Sequence, residues 1–384
     1  MIRKIKRRIR RIFWGFVYKY STDETLRNVI VFESAPDLSD NAKAVFDEMI
    51  RRGLNRTYKL VYDLYDTDEM IDFKDNNVYG IPCWDPQAEY YKKKAKVKVF
   101  CNRLWKKENE KQFCIYLSHG TGIKDVRRYY NLPSSIDYCV AQSPQVVESH
   151  AYALNFDVNK TVPLGFPRND ILTTKDKIEI RNILNTECEK VIVWYPTFRK
   201  HHNGFSTASK NALPIIHNGD YAKKLNDCAR KNNVLIVLKP HFAQDVSYIK
   251  DLNLSNIRFI GDDFFEKHNI TSYQFVGATD ALVTDYSSIY FDYTLCDKPV
   301  AVIWEDIEEY KQNPGLVENY EYLLKGAEKV YTLDDFIDFL ERVANGVDLL
   351  KKEREDIRDY VNVSTDGKSA ERVVDFIIEK AGLI

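Results

Sequence analysis

Hydrophobic and polar residues follow two different patterns along the chain. Residues 1–20 carry apolar side chains three and four positions apart with basic residues between them, which predicts an amphipathic helix. From residue 28, short apolar runs alternate with helical segments, as in proteins built on parallel sheets. A helix is predicted over SDNAKAVFDEMIRRG, starting at Ser39 and Asp40 and ending at Gly53. The first series of predicted strands comprises NVIVFES, YKLVYDLY, KAKVKVF, QFCIYLSHG and DYCVAQS.

A second series of the same kind begins near residue 188. Its predicted strands are EKVIVWYPTFR, VLIVLKPHF, IRFIG, ATDALVTDYSS and KPVAVIW, with a helix over YAKKLNDCARKNN. We interpret GFPRNDILTTKDKIEIRNIL as a linker and a leading helix, and TDGKSAERVVDFIIEKAG as a capped amphipathic helix. The alternation predicts two Rossmann-like α/β domains with a cleft between them. The expected divisions are 1–22 (basic helix), 23–170 (N-terminal α/β domain), 171–360 (C-terminal α/β domain) and 361–384 (C-terminal helix).

Composition adds an uneven charge to this picture. Of the 384 residues, 44% are hydrophobic and 13% are aromatic, and this composition excludes a disordered or collagen-like chain. The formal net charge is -1, but residues 1–20 contain eight basic residues and no acidic one, which leaves -9 for the rest. Because basic amphipathic helices bind anionic lipid, we interpret residues 1–20 as a membrane-surface helix. The alternatives are a solvated arm and a helix docked on the protein itself.

Cysteine usage indicates the compartment. Seven cysteines lie far apart, without a CxxC pair or zinc-ligand spacing, and an odd number without a framework is typical of a reducing compartment. We find neither a run of transmembrane length nor a signal-peptide pattern. The expectation is therefore a cytosolic enzyme that uses no metal and no cofactor.

Four predicted strands end in polar loops: LSHGTGIK, WYPTFR, LKPHF and LVTDYSS. Ligands of open parallel sheets bind beyond the carboxyl ends of the strands, so these loops are the candidate site. His119 is a candidate general base because the imidazole titrates near neutral pH. Gly120 and Gly122 permit close approach of the backbone. The candidate cations and donors are Lys124, Arg199, Lys239 and His241.

The segment TDYSS predicts an anion site. Thr284 and Asp285 end a strand, and Ser287 and Ser288 fall where a helix over SSIYFDYTLC is predicted to begin. Free N–H groups at a helix start, the helix dipole and two hydroxyls suit a phosphate or diphosphate. Cations and hydroxyls without a carboxylate pair favour phosphoryl transfer over glycoside hydrolysis. The chain has neither a Walker loop nor GxGxxG, which excludes the usual nucleotide motifs.

Together these loops resemble a known family. HG at 119–120, PTFR at 196–199, KPH at 239–241 and TDYSS at 284–288 followed by FD occur in the order found in the CDP-glycerol glycerophosphotransferases. These enzymes are the teichoic acid primases and polymerases of bacterial walls and capsules. FESAPDLSDNAKAVFDEM, DKPVAVIWEDIEEYKQNPG and TDGKSAERVVDFI are similar to further segments of the family. The resemblance extends over roughly residues 28–380.

The resemblance implies a glycosyltransferase-B-like fold, with the acceptor on the first domain and CDP-glycerol mainly on the second. His119 matches the family's base and His241 its second essential histidine. Gly120 and Lys124 are candidate contacts to the acceptor or a phosphate. The implied reaction is in-line attack of an acceptor hydroxyl on the β-phosphorus, which releases CMP. The residues expected to bind the donor are Arg199, Lys239, Thr284, Asp285, Ser287 and Ser288.

The implied partners are a CDP-polyol, a lipid-linked saccharide or polyol-phosphate acceptor, and the anionic cytoplasmic face of a bacterial membrane, but no nucleic acid. The chain departs from the family at Trp194, Tyr195, Phe242 and the Lys325-Gly326 pair, which bears on the nucleotide or polyol pocket. CDP-ribitol is therefore an alternative donor. A nucleotide-sugar transferase of capsule or lipopolysaccharide synthesis and an inactive homologue serving as a binding partner are further alternatives. A primase and a polymerase would use the same residues.

Overall fold

The computed structural model describes residues 2–384 except 126, 128–130, 176, 198–212, 241–243, 245 and 314, with side chains from Arg8 onward. The chain forms two compact units. The first unit comprises Met1–Gly120, Arg127–Asp170 and Asp366–Ile384, and the second unit comprises Thr121–Val126 and Ile171–Thr365. The C-terminal residues therefore return to the first unit.

The strands in chain order are β1 Arg27–Glu33, β2 Lys59–Leu64, β3 Ile71–Asp72, β4 Val78–Pro82, β5 Ala95–Phe100, β6 Phe113–Tyr116, β7 Tyr138–Ala141, β8 Thr161–Pro163, β9 Lys190–Trp194, β10 Val234–Leu238, β11 Ile257–Phe259, β12 Ala281–Thr284, β13 Val300–Ile303 and β14 Glu328–Val330. The helices are α1 Ile2–Tyr20, α2 Asp40–Arg51, α3 Pro86–Lys94, α4 Val147–Ala153, α5 Asp170–Thr173, α6 Ile180–Leu184, α7 Gly219–Lys231, α8 Ser247–Lys250, α9 Asp262–His268, α10 Ser272–Ala278, α11 Ile289–Tyr293, α12 Ile307–Gln312, α13 Tyr320–Leu323, α14 Leu333–Ala344, α15 Lys351–Val361 and α16 Ser369–Ala381.

The sheet of the first unit has the strand order β3-β4-β2-β1-β5-β6-β7-β8. Its described pairs are parallel except β3 with β4. The chain builds outward from β1 through β2 to β4 and then crosses to β5 on the other side of β1. This reversal places the carboxyl ends of β1 and β5 side by side, which is where open α/β sheets bind ligands.

The sheet of the second unit has the order β11-β10-β9-β12-β13-β14, and its described pairs are parallel. Here the chain builds from β9 through β10 to β11 and then crosses to β12. The reversal lies between β9 and β12, so the loops after these two strands are adjacent. The two parallel α/β units confirm the predicted fold class.

Alternating side chains of β1 supply both faces of the first sheet, as the pleat of a strand requires. Ile30 and Phe32 pack with α2 and α16, whereas Val29 and Val31 pack with α3. Asp170 ties α16 to this unit, because its carboxylate accepts the N–H groups at the start of that helix, each at 2.8 Å. Helix α16 is therefore a structural part of the first unit.

The second sheet is covered by α7 and α14. Ala222, Leu225 and Ala229 of α7 and Phe336 and Phe339 of α14 share one buried cluster with the strands. Helix α14 begins with a capping box at its N-terminus. The helices pack on the apolar side chains of the strands, and the polar residues predicted for the site lie in the loops at the carboxyl ends of the strands.

Helix α1 confirms the predicted amphipathic helix, and one of its faces packs on the first unit. Arg10 forms an ion pair with the buried Asp85 at the start of α3, and the ring of Trp14 lies 5.2 Å from that of Tyr90. The opposite apolar face points to solvent, with each side chain 59–63% exposed. This exposed stripe comprises Ile9, Ile12, Phe13, Phe16 and Tyr20. Helix α1 is thus a docked helix rather than a solvated arm.

Among the described residues, no helix combines the length and the apolar character needed to cross a bilayer.

Candidate functional site

His119 follows β6. This strand pairs with β5, which is one of the two strands at the reversal of the first sheet. Its Nδ1 lies 3.2 Å from the carbonyl oxygen of Cys101 and 3.3 Å from the hydroxyl of Tyr116. A carbonyl oxygen only accepts hydrogen bonds, so this contact assigns the proton of the neutral imidazole to Nδ1. The lone pair then lies on Nε2. This is the tautomer that a general base requires.

The backbone around His119 adopts unusual conformations. Gly120 has φ 149°, and Ser118 has φ 58°, in the left-handed region that a residue with a Cβ rarely adopts. Asn41 donates a hydrogen bond to the carbonyl of Ser118, and Arg168 donates one to the carbonyl of His119. Side chains distant in sequence thus hold this loop in place.

Burial is the main cause that lowers the pKa of His119 below its usual value. The carboxylate of Asp40 acts in the opposite direction, and the guanidinium of Arg168 reinforces the lowering. His119 is therefore held towards its neutral form, which is the form able to accept a proton.

In the second unit, Asp285 holds the loop after β9. Its carboxylate accepts the backbone N–H of Thr197 at 2.9 Å and also the hydroxyl of Thr197. The hydroxyl of Thr284 donates to the carbonyl of Tyr195 at 2.8 Å. Asp285 and Thr284 are both buried. These two predicted donor-binding residues therefore lie within the scaffold that joins the adjacent loops.

Ser287 and Ser288 are half-buried, which distinguishes them from Thr284 and Asp285. The prediction of a helix over SSIYFDYTLC was partly wrong. The α-helix has only five residues, Ile289–Tyr293, and a 3₁₀ turn follows over Thr294–Cys296. So short a helix has a small dipole, so the structure weakens the expected contribution of a helix dipole to an anion site here.

Two of the predicted cations, Lys239 and Lys124, have partners within the second unit. Nζ of Lys239 lies 3.0 Å from the highly exposed carboxylate of Asp262. Nζ of Lys124 lies over the ring of Tyr310, 5.9 Å from its centroid, and the Lys124 backbone pairs with Leu316. Lys124 thus belongs to the second unit, although Gly120 belongs to the first.

Arg199 and His241 lie outside the described residues, so their expected roles stay predictions. In the described part of the chain, no group of three or more His, Cys, Asp or Glu side chains could hold a metal ion. Sequence reasoning gave no role in the site to Asp40, Asn41 or Arg168. Asn41 and Arg168 contact the His119 loop, and Asp40 pairs with Arg168. The only sequence signal was that Asp40 and Asn41 lie in SDN, within a segment similar to the family.

Comparison with known proteins gives the family. Residues 17–379 match the family described as CDP-glycerol:poly(glycerophosphate) glycerophosphotransferase. A teichoic acid glycerol-phosphate primase of Bacillus subtilis is 24% identical over 253 residues, which are 66% of this chain and 60% of that protein. A teichoic acid poly(glycerol phosphate) polymerase of Bacillus spizizenii is 25% identical over 337 residues, 79% of this chain and 82% of that protein. A ribitol-phosphate polymerase of Staphylococcus aureus, TarK, is 26% identical over 367 residues, 89% of this chain and 66% of that protein.

Among solved structures, the wall teichoic acid polymerase TagF superposes with a TM-score of 0.74 at 21% identity, covering 100% of this chain and 98% of that one. A UDP-N-acetylglucosamine 2-epimerase from Listeria monocytogenes gives a TM-score of 0.54 at 12% identity, covering 93% and 97%. These likenesses support the glycosyltransferase-B-like fold. The resemblance found in the sequence is confirmed: the chain belongs to the CDP-glycerol:poly(glycerophosphate) glycerophosphotransferase family.

Proposed function

We propose that this protein transfers glycerol phosphate from CDP-glycerol to a hydroxyl of a membrane-linked teichoic acid or capsule acceptor. The acceptor oxygen attacks the β-phosphorus, a new P–O bond forms, and the bond from that phosphorus to the bridging oxygen breaks. CMP leaves with the bridging oxygen. The hydroxyl proton passes to Nε2 of His119, so the reaction requires no covalent enzyme intermediate.

The observation that carries the proposal is the tautomer and the lowered pKa of the His119 imidazole, in a chain that belongs to this family. Its Nδ1 faces the Cys101 carbonyl at 3.2 Å, and burial lowers the pKa of its imidazole. A neutral imidazole with its lone pair on Nε2 accepts a proton from an attacking hydroxyl without prior deprotonation. The first unit therefore supplies the acceptor chemistry in this proposal.

The second unit supplies the donor side in this proposal. Ser287 and Ser288 offer hydroxyls at the loop after β12, and Lys239 offers a positive charge. Arg199 and His241 are proposed to act with them. Donors aimed at a diphosphate stabilise the charge that develops on the leaving group. Thr284 and Asp285 would act by shaping the loop.

The identity of the donor polyol is the first thing to test. The relatives include glycerol-phosphate and ribitol-phosphate enzymes at similar identity, so CDP-ribitol is the second candidate donor. The protein would be incubated with an acceptor analogue and either CDP-glycerol or CDP-ribitol, followed by mass spectrometry. We expect CMP and an acceptor heavier by one or more polyol phosphate units, whose number distinguishes a primase from a polymerase. Transfer from a UDP-sugar instead, with no CMP released, would overturn the proposal.

A variant of the base tests the mechanism. His119→Ala should abolish turnover while binding of the CDP-polyol persists, because the imidazole is assigned to the acceptor proton. His268→Ala is the matched control, since His268 lies at the end of α9 and packs on Phe264. Binding is measured by thermal shift, where a ligand at 100 times its Kd stabilises by roughly 2.7 kcal/mol. Full activity of His119→Ala would exclude His119 as the base.

We further propose that α1 places the enzyme on the anionic cytoplasmic face of the membrane as a peripheral protein. Arg10 and Trp14 hold the helix against α3, while its opposite stripe of five exposed apolar side chains is available to lipid. Basic residues within α1 would add about 1 kcal/mol each near an anionic leaflet. A docked helix would give the first unit a fixed orientation on the bilayer.

Vesicle sedimentation tests this placement. Ile12→Glu combined with Phe16→Glu should release the protein from vesicles of phosphatidylglycerol and phosphatidylcholine, while CDP-polyol binding stays intact. Leu349→Glu is the matched control, because Leu349 is an equally exposed apolar side chain of the second unit. Equal vesicle binding by the double variant and the wild type would refute the placement.

A further inference from the structure

Side chains from outside the His119 loop hold its backbone. The amide of Asn41 donates to the carbonyl of Ser118 at 3.0 Å. Nη1 of Arg168 donates to the carbonyl of His119 at 2.8 Å and to the carboxylate of Asp40 at 2.7 Å. The Arg168 backbone N–H donates to the Asn41 side-chain oxygen at 3.0 Å, which closes the network. Two consecutive carbonyl groups of the loop are therefore fixed by one connected set of side chains.

The loop needs this support because its backbone is strained. Ser118 adopts φ 58°, and a residue with a Cβ in that region costs about 1 kcal/mol or more. Asn41 and Ser118 are both buried, and the side chain of Arg168 is only 9% exposed. Since water has little access to this network, it would not readily replace a lost side-chain donor. The backbone would then relax towards an ordinary conformation.

Such a relaxation would move the imidazole. The ring of His119 is set by the contact of its Nδ1 with the Cys101 carbonyl and the Tyr116 hydroxyl, both of which lie on the sheet side of the loop. A turn of the Ser118–His119 peptide would change the direction of Nε2. Misplacement of a catalytic group by about 1 Å can lower the rate by about 10²-fold.

The same network sets the charge around His119. The carboxylate of Asp40 favours the protonated imidazole, and the guanidinium of Arg168 disfavours it. The other titratable groups that face this region are His150 of α4, Tyr116 of β6 and Cys101 after β5.

We propose that Asp40, Asn41 and Arg168 are positioning residues that hold the strained His119 loop and thereby orient the proposed base. This inference rests on the proposed function for its catalytic part, whereas the geometry of the loop stands independently of it. The three residues act through the backbone and the local charge, and none of them is assigned a contact with a substrate.

The kinetic test uses Asn41→Ala and Arg168→Met. Each should lower kcat by roughly 10²-fold, as expected for a misplaced group, while KM for the CDP-polyol is unchanged. Arg168→Lys keeps a charge and donors and should restore part of kcat. Arg181→Met is the matched control, because Arg181 likewise donates to a backbone carbonyl and pairs with a carboxylate, but in the second unit. It should leave kcat unchanged.

The pH profile separates positioning from a loss of stability. Removing the cation in Arg168→Met should raise the pKa of His119 and shift the rise of kcat/KM to higher pH. Removing the anion in Asp40→Asn should shift it to lower pH, because Asp40 favours the protonated form. Shifts in the same direction in both variants, or none in either, would contradict the assignment.

A spectroscopic readout keeps the inference testable without activity. Long-range ¹H–¹⁵N spectra of histidine-labelled protein report the tautomer and pKa of His119, assigned with His119→Gln. We expect an Nδ1–H tautomer in the wild type and altered His119 signals in Asn41→Ala and Arg168→Met. Unaltered signals together with wild-type kcat would overturn the inference and leave the proposed function standing. Altered signals in a protein that turns over no CDP-polyol would support the positioning role and sink the proposed function.

Discussion

The two units hold their candidate loops with opposite chemistry. In the first unit, the donors of Asn41 and Arg168 bind carbonyl oxygens of the His119 loop. In the second unit, the carboxylate of Asp285 binds the N–H and hydroxyl of Thr197. Both sets of loops follow the carboxyl ends of parallel strands, yet one is held through its acceptors and the other through its donors.

This difference distinguishes the residues that support the loops from the residues that are proposed to bind the ligand. Asp285 is an anion in the loop motif expected to bind a diphosphate, where its charge would repel the ligand. The structure buries that carboxylate to 1% exposure and uses its oxygens within the loop, while Ser287 and Ser288 remain half-buried beside it. The motif thus combines buried residues that support the loop with half-buried hydroxyls that are proposed to meet the ligand.

The largest expected effect concerns acid stability in the first unit. Burial lowers the pKa of His150 from 6.5 to about 4, so protonation favours the unfolded chain. The contribution of neutral His150 is complete above pH 6.5 and is lost as the pH falls towards 4. At 1.36 kcal/mol per pKa unit this amounts to about 3 kcal/mol. We expect urea unfolding of His150→Leu to depend less on pH across this range than the wild type.

Asp63 provides the control for that experiment, because the shift of its pKa has the opposite effect on stability in acid. Burial raises the pKa of Asp63 to about 6, so its contribution destabilises the fold as the pH rises from about 4 to 6. Asp63→Asn should therefore steepen the loss of stability in acid, whereas His150→Leu should reduce it. Identical pH dependence in wild type and His150→Leu would show that His150 is not the group responsible.

The next effect tests the support of the second unit. Asp285→Ala should lower the free energy of unfolding by about 2 kcal/mol, because the hydrogen bonds of its carboxylate to the N–H and hydroxyl of Thr197 are lost. Thr197→Val removes only the hydroxyl and should cost about 1 kcal/mol. Urea denaturation measures both. An Asp285→Ala protein as stable as Thr197→Val would contradict the supporting role of the carboxylate.

The smallest effect concerns the two hydroxyls proposed to meet the donor. Ser287→Ala and Ser288→Ala should each weaken CDP-polyol binding by about 1 kcal/mol, roughly fivefold, with little change in stability. Calorimetric titration measures this. If both variants bind as tightly as the wild type, the donor contacts lie elsewhere in the second unit.

The strands were predictable because strands buried on both faces form continuous apolar runs. The sequences of β1, β6, β9, β10 and β12 each contain such a run, and each forms a strand where predicted. The order of the loops along the chain also located His119 and TDYSS at the carboxyl ends of strands. The short β3, paired antiparallel, has only two residues and no such pattern.

The contacts within the site were not predictable, because they join residues far apart in sequence. Asn41 and Arg168 are separated by 127 positions, and neither has a local pattern that points to the His119 loop. The positive φ of Ser118 has no signal in its residue type. The helix predicted over SSIYFDYTLC ends at Cys296 as expected, but its last three residues form a 3₁₀ turn, which no residue type in the segment signals.

The most direct test of the account is single-turnover release of CMP over a range of CDP-polyol concentrations. We compare wild type, His119→Gln, and the double variant Ser287→Ala with Ser288→Ala. We expect His119→Gln to lower the maximal rate by about 10²–10⁴-fold and to leave the half-saturating concentration unchanged. The double variant should raise that concentration. A raised half-saturating concentration with an intact maximal rate in His119→Gln would contradict the assignment of acceptor chemistry to the first unit.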